Sequence, residues 1–105
     1  MKELDNLILK AIEEGLQKLG SSVLHVTMYY AENKFNLPRE EIPRQPERFE
    51  EVLREIYDAA MYHVVAAINE SIFRKLGLPV EEGCHSLKEA IDKAKKLWTQ
   101  RETSA

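Results

Sequence analysis

One stretch near the middle of the chain decides the fold: residues 46–77, which read PERFEEVLREIYDAAMYHVVAAINESIFRKLG. Apolar side chains recur every three or four residues from Phe49 to Leu76, which is the spacing of one face of an α-helix. A single helix of this length would be long for so small a domain. We therefore predict two helices broken at Asp58, which would cap a new helix that starts at Ala59.

Two further helices are predicted upstream. The first covers Leu4–Leu19 and ends at Gly20, because glycine accepts the left-handed cap conformation without steric cost. The second runs from about Ser22 to Phe35 and is capped by one of the two serines that follow Gly20. Apolar residues cover more than half of its circumference, so we expect this helix to be central or to meet a partner.

A proline-rich connector, Asn36–Gln45, separates the second and third helices. Pro38 suits the first position of a single helical turn. Pro43 is expected to stop that turn, because the residue before a proline avoids the helical region. Pro46 then opens the third helix in the same way as Pro38.

Downstream, Gly77 caps the long stretch and Val80–His85 is predicted to be a loop. Ser86 and Glu89 form a capping box, in which each side chain satisfies a free backbone amide. A last helix follows to about Arg101, before a tail that should fray. Its apolar stripe is narrow, which places this helix at the edge of the bundle.

Length and composition agree with one globular domain. The chain has 105 residues, of which 44% are hydrophobic and 31% charged, so we predict a single domain over residues 1–105 with its core in 4–98. The fold class is all-α: a compact multi-helical bundle of about five helices with a proline-rich connector between helices two and three.

Charge and cysteine content limit the surroundings of the protein. The net charge of −3 gives no general attraction to nucleic acid or to anionic membranes. No apolar run approaches the roughly 20 residues that span a bilayer, so no membrane association is expected. A single cysteine can form no internal disulfide, and we expect a cytoplasmic protein.

Part of the sequence resembles a family of small archaeal helical output-type domains of unknown function (NitrOD-like). The residues that carry the resemblance are Glu41-Ile42-Pro43, Pro46, Phe49, Leu53, Ile56, Ala60 and Leu76-Gly77-Leu78, with Tyr30, Phe35 and Leu37 upstream. It covers roughly Leu7 to Leu78 and implies a compact multi-helical fold that occurs alone or attached to signalling regions. It implies no chemistry and no catalytic residues. Where the family favours Phe-Gly, this chain has Tyr57-Asp58.

No pattern in the sequence predicts catalysis, a cofactor or a metal. Cys84 and His85 are of the types that bind zinc, but adjacent ligands have poor geometry and no other pair completes a four-ligand site. His25 and His63 lie among apolar residues and are interpreted as core or boundary histidines. The four glycines are scattered singly, so there is no phosphate-binding loop.

Tyrosine and methionine point to a protein interface. Both types are enriched at interfaces, and the helices that carry them are more apolar than one small core requires. Core lining is the simpler alternative for each residue. We predict a non-enzymatic interaction module that forms a homodimer, with a signalling or regulatory protein as a further partner. The interface candidates are Tyr29, Tyr30, Met61, Tyr62 and Val65.

Two alternative functions stay open. A small-ligand sensor would need a pocket within the bundle near Tyr57 and His63. A nucleic-acid-associated regulator is the runner-up and ranks above the sensor, although acidic residues interrupt the basic ones that it would use. Those basic residues lie on the last helix: Lys88, Lys93, Lys95, Lys96 and Arg101.

Overall fold

The computed structural model describes residues 2–80 and 86–104. Two 3₁₀ segments, Arg39–Arg44 and Asp58–Ala60, join helices in its middle part. No strand is present in the described residues, so the prediction of an all-α fold with five helices is confirmed. The five α-helices are α1 (Lys2–Leu19), α2 (Ser21–Asn33), α3 (Pro46–Tyr57), α4 (Met61–Lys75) and α5 (Leu87–Ser104).

The core is built around the pairing of α1 with α4, whose inward side chains include the fully buried Ile12 and Ile72. The two helices come closest at Gly15. A Cβ added there would lie 2.9 Å from the Cα of Ile68 and 3.1 Å from the carbonyl oxygen of Ala67. Glycine in a helix costs about 1 kcal/mol relative to alanine, but at this crossing only glycine leaves room for the opposing backbone.

The break predicted at Asp58 is confirmed, although its form differs from the prediction. α3 ends at Tyr57, and Asp58 turns the chain with φ 49°. With ψ −120°, Asp58 lies outside the left-handed helical region that aspartate tolerates, so the backbone is strained at this turn. A 3₁₀ turn then leads into α4, which starts at Met61 rather than Ala59 and has no side-chain cap. Asp58 therefore redirects the chain and does not cap the next helix.

Further predictions about helix ends are wrong. Pro38 precedes the 3₁₀ helix in an extended conformation, with ψ 156°, instead of taking its first position. Pro43 lies inside the 3₁₀ helix Arg39–Arg44 instead of ending it. Pro43 and Ile42 are both buried, so packing compensates for the backbone donor that proline lacks. Gly20 itself precedes α2, with φ 136° and no side-chain cap, so the serines after it are helical residues and not caps.

The predicted end of α4 at Gly77 is confirmed. Gly77 has φ 69°, and its amide donates to the carbonyl oxygen of Arg74 at 3.1 Å. The amide of Leu78 donates to the carbonyl oxygen of Phe73 at 2.8 Å. These two bonds form a Schellman motif, in which glycine is favoured because the backbone is left-handed.

α5 contributes buried side chains to the core, and it continues to Ser104, beyond the predicted end at Arg101. The serine half of the predicted capping box is confirmed, since the Ser86 hydroxyl accepts the amide proton of Glu89 at 3.0 Å. A second, unpredicted cap comes from α3: Glu50 Oε1 accepts from the first two amides of α5, at 3.1 and 3.3 Å. The buried residues of α5 are Leu87, Ala90, Ile91 and Ala94.

Candidate interaction surface

α2 is fixed to the bundle along one side. Its buried residues are Thr27 and Ala31. Thr27 Oγ1 donates to the carbonyl oxygen of Val23 at 2.6 Å and lies 2.7 Å from the hydroxyl of Tyr57. Because the single proton of Thr27 is used in the first bond, Tyr57 donates the second. This pair fixes the position of α2 relative to the end of α3.

The opposite side of α2 is open to solvent, and we call it the α2 face. Tyr29 is 66% exposed and Val26 is 42% exposed. Residues 19–31 contain no Asp, Glu, Lys or Arg, in a chain of which 31% is charged. The face is therefore apolar at its centre and uncharged over most of its length. Its members, all exposed and spaced by one helical turn, are Ser22, His25, Val26, Tyr29 and Asn33.

A smaller exposed region lies at the start of α4. Tyr62 is 70% exposed, and His63 and Ala66 are exposed beside it. We call these three residues the α4 patch. Residues 59–69 also contain no Asp, Glu, Lys or Arg. Along the same side of the helix the next exposed residues are Glu70 and Arg74, which pair with each other at 3.0 Å. The uncharged part of this side is thus shorter than the α2 face.

The five predicted interface residues have different locations. Tyr29 and Tyr62 are exposed, whereas Tyr30 is half-buried, with its ring centre 5.5 Å from the Nζ of Lys34. Met61 and Val65 are only 5% and 4% exposed and pack in the core. The predicted interface role of Met61 and Val65 is thus corrected to core lining, because neighbouring helices cover α4 on all sides but one.

Leu19 and Val26 are exposed apolar residues outside the predicted set, at 45% and 42% exposure. The signal that would have found them is the absence of formal charge over residues 19–31. Charged residues are depleted at the centres of protein interfaces, whereas aromatic residues are enriched. A charge-free run therefore locates a candidate surface better than apolar residue types alone.

Among the described residues, the ion pairs lie outside the exposed members of the α2 face. The side-chain hydrogen bond to Glu13 raises the pKa of Arg39, and the hydrogen bond to Glu55 raises the pKa of Lys34. The Lys34 Nζ lies 2.8 Å from Glu55 Oε1. Both pKa shifts arise from ion pairs that are partly or fully exposed to solvent. These pairs stabilise the charged form of each side chain at the surface, and neither shift marks a catalytic group.

The basic residues of α5 are mostly engaged within the chain. Lys88 lies 2.8 Å from Asp92, whose hydrogen bond raises the pKa of Lys88. Lys95 lies 3.4 Å from Asp5, and Arg101 donates to main-chain carbonyls at the end of α4. These contacts break up the basic stripe that a nucleic-acid regulator would use. Lys93 is exposed but also interacts within the structure, and Lys96 is exposed.

The residues predicted for a ligand pocket face different surroundings. Tyr57 is half-buried and its hydroxyl is occupied by Thr27, whereas His63 is exposed. His25 is exposed as well, so neither histidine is in the core. A polar cleft of about 370 Å³ lies elsewhere, between the segment 43–48 and α5. Several of its lining cations pair with carboxylates of the chain, which leaves little free charge for a ligand.

Two further findings bear on the class of protein. Within residues 2–80 and 86–104, no group of three or more His, Cys, Asp or Glu side chains is placed to hold a metal ion. Cys84 and His85, the ligand types noted in the sequence, lie outside these ranges. Among the described helices, none combines the length and the apolar character that crossing a membrane requires.

The chain matches no protein-family model, no curated protein and no solved structure. The resemblance to the archaeal output-type domains therefore stays a prediction. Function has to be argued from the exposed surfaces themselves.

Proposed function

We propose that the chain is a non-enzymatic interaction module that associates with a second copy of itself through its uncharged exposed side chains. One observation carries the proposal: Tyr29 and Val26 stand exposed, at 66% and 42%, on a helix without charged residues over 19–31. An exposed tyrosine beside an aliphatic residue, surrounded by neutral polar groups, matches the centre of an interface more closely than ordinary surface.

Charge argues that the partner is another copy of the chain. In a two-fold dimer the same surface of each copy is in contact, so a charged residue in that surface lies near the charged residues of the identical surface on the other copy. With a net charge of −3 and 31% charged residues, most surfaces of this chain would need their charges to be matched in register. The α2 face and the α4 patch carry no formal charge and can meet themselves without like-charge repulsion.

Tyrosine also suits a surface that is exposed in one state and covered in the other. Its ring contributes a large apolar area with few rotatable bonds, and its hydroxyl can stay in contact with water. Tyr29 and Tyr62 are the two most exposed of the large hydrophobic residues, at 66% and 70%. Burying either ring against a second copy would remove this area from water without disturbing the core.

Light scattering over a concentration series tests the proposal. We expect the mass to rise from one chain to two between low and high micromolar concentration. At least one of the two substitutions Tyr29→Glu and Tyr62→Glu should raise the dissociation constant at least about tenfold, since truncation or charging of an interface centre has effects of this size. Asn6→Glu, which adds the same charge at an exposed position of α1, is the matched control and should change the dissociation constant little.

A mass of one chain at high micromolar concentration would overturn the proposal. It would also fail if the protein formed a dimer that neither tyrosine substitution weakened more than Asn6→Glu. All three substitutions are at exposed positions, so each variant should keep the fold. Circular dichroism of each variant checks this and excludes misfolding as the cause of a weaker dimer.

A further inference from the structure

We infer that the two copies meet through antiparallel α2 helices, with the two-fold axis between Val26 and Tyr29. This inference rests on the proposed self-association and specifies its geometry. It follows from the order of the exposed residues along the α2 face and from the charges at the two ends of α2.

The position of the axis follows from the length of the α2 face. The face extends from Ser22 to Asn33, so its midpoint lies between Val26 and Tyr29. An antiparallel pair that is centred there places Val26 of one copy against Tyr29 of the other, and does so twice by symmetry. The two largest exposed apolar side chains of α2 are then buried together, and Ser22 and Asn33 approach one another at each end.

The direction of pairing follows from the ends of the helix. α2 has no acidic residue in its first turn and no side-chain cap, so its N-terminal amides and the positive end of its dipole lack an acidic partner on their own helix. Glu32 is exposed in its last turn. An antiparallel pair brings Glu32 of one copy toward the N-terminal turn of the other, which is favourable. A parallel pair would place the two Glu32 side chains beside each other, which is unfavourable.

The α2 face is better suited to this contact than the α4 patch. Helix pairing needs an uncharged row over several turns, and α2 supplies nearly three such turns, from Ser22 to Ala31, before Glu32. The α4 patch covers little more than one turn, from Tyr62 to Ala66, before the Glu70–Arg74 pair. We therefore assign the helix–helix contact to α2.

Mixing two variants tests the geometry. Val26→Glu and Tyr29→Lys should each raise the dissociation constant of the self-pair at least about tenfold, because each places a charge against an apolar partner. In an equimolar mixture, the carboxylate at position 26 of one chain faces the ammonium at position 29 of the other, while the second Val26–Tyr29 contact is unchanged. We expect the mixed pair to associate at least about tenfold more tightly than either variant alone.

Mixing Val26→Glu with Tyr62→Lys is the matched control, and it should give no such recovery. If each variant is weakened but the intended mixture does not recover, the antiparallel geometry is overturned while the proposed self-association stands. If Tyr62→Lys alone abolishes the dimer and the α2 variants do not, the contact lies at α4 and the inference fails. If the unmodified chain is monomeric in the same light-scattering series, the proposed function fails first.

Discussion

α2 and α4 are both partly free of charge but have very different surroundings. Each contains a long run without charged residues that is rich in apolar side chains. In α4, eight of the 15 residues are buried, whereas in α2 only Thr27 and Ala31 are. The difference arises because α1, α3 and α5 all pack against α4, while α2 is packed along one side only. Composition thus reports how much apolar surface a helix has, and the neighbouring helices decide how much of it is covered.

The largest effect that tests this comparison comes from two adjacent residues of α4. Met61 is 5% exposed and Tyr62 is 70% exposed. We expect Met61→Ala to lower the free energy of unfolding by about 2–5 kcal/mol, through lost burial and a residual cavity. Tyr62→Ala should change it by less than about 0.5 kcal/mol. Chemical denaturation at low micromolar concentration, where self-association contributes little, measures both.

Equal losses for the two substitutions would break the comparison, because they would show that Tyr62 is as well packed as Met61. A large loss for Tyr62→Ala that grows with protein concentration would have a different meaning. It would locate the stabilisation in the dimer, since a partner that binds only the folded chain raises the apparent stability by mass action.

The sequence predicted the local features of this fold well. Helical spacing, the break at Asp58, the end at Gly77 and the cap at Ser86 all depend on residues within a few positions of one another. It was wrong about two local caps, at Asp58 and at the serines after Gly20, and it missed one feature that depends on distant residues. Pro43 continues its helix because Ile42 and Pro43 are buried, and no local pattern shows that burial.

The same reason explains the candidate surface. The sequence identified Tyr29 and Tyr62, but Met61 and Val65 proved to be core residues. Spacing along α4 cannot show how many helices surround it. Glu50 caps α5, because the fold brings together residues that are 37 positions apart. Only the three-dimensional arrangement reveals such pairs.

An intermediate effect is expected at Gly15, where α1 crosses α4. Helix propensity alone predicts that Gly15→Ala stabilises α1 by about 1 kcal/mol. The new Cβ would lie 2.9 Å from the Cα of Ile68, and backbone cannot move aside as the end of a flexible side chain can. We expect a net loss of about 1–3 kcal/mol in the free energy of unfolding, measured by denaturation.

Gln17→Ala is the control for this prediction, because Gln17 is exposed on the same helix. It should be neutral or slightly stabilising, as helix propensity predicts. A gain in stability for Gly15→Ala as well would show that α1 and α4 are not held at this distance. The close pairing that distinguishes α4 from α2 would then be weaker than the structure indicates.

The smallest effect concerns one buried hydroxyl in each helix. Thr27 of α2 is bonded to Val23 and Tyr57, whereas Ser71 Oγ of α4 has no hydrogen-bond partner among the described residues. A buried polar group without a hydrogen-bond partner lowers stability, while a bonded one contributes about 0.5–1.5 kcal/mol. We therefore expect Ser71→Ala to raise the free energy of unfolding by up to about 1 kcal/mol and Thr27→Val to lower it by about 0.5–1.5 kcal/mol. Thermal or chemical denaturation resolves differences of this size, and a loss for Ser71→Ala would mean that its hydroxyl is bonded in solution. In that case the buried hydroxyls of α4 and α2 would both be hydrogen-bonded, and the two helices would differ only in how much of their apolar surface is buried.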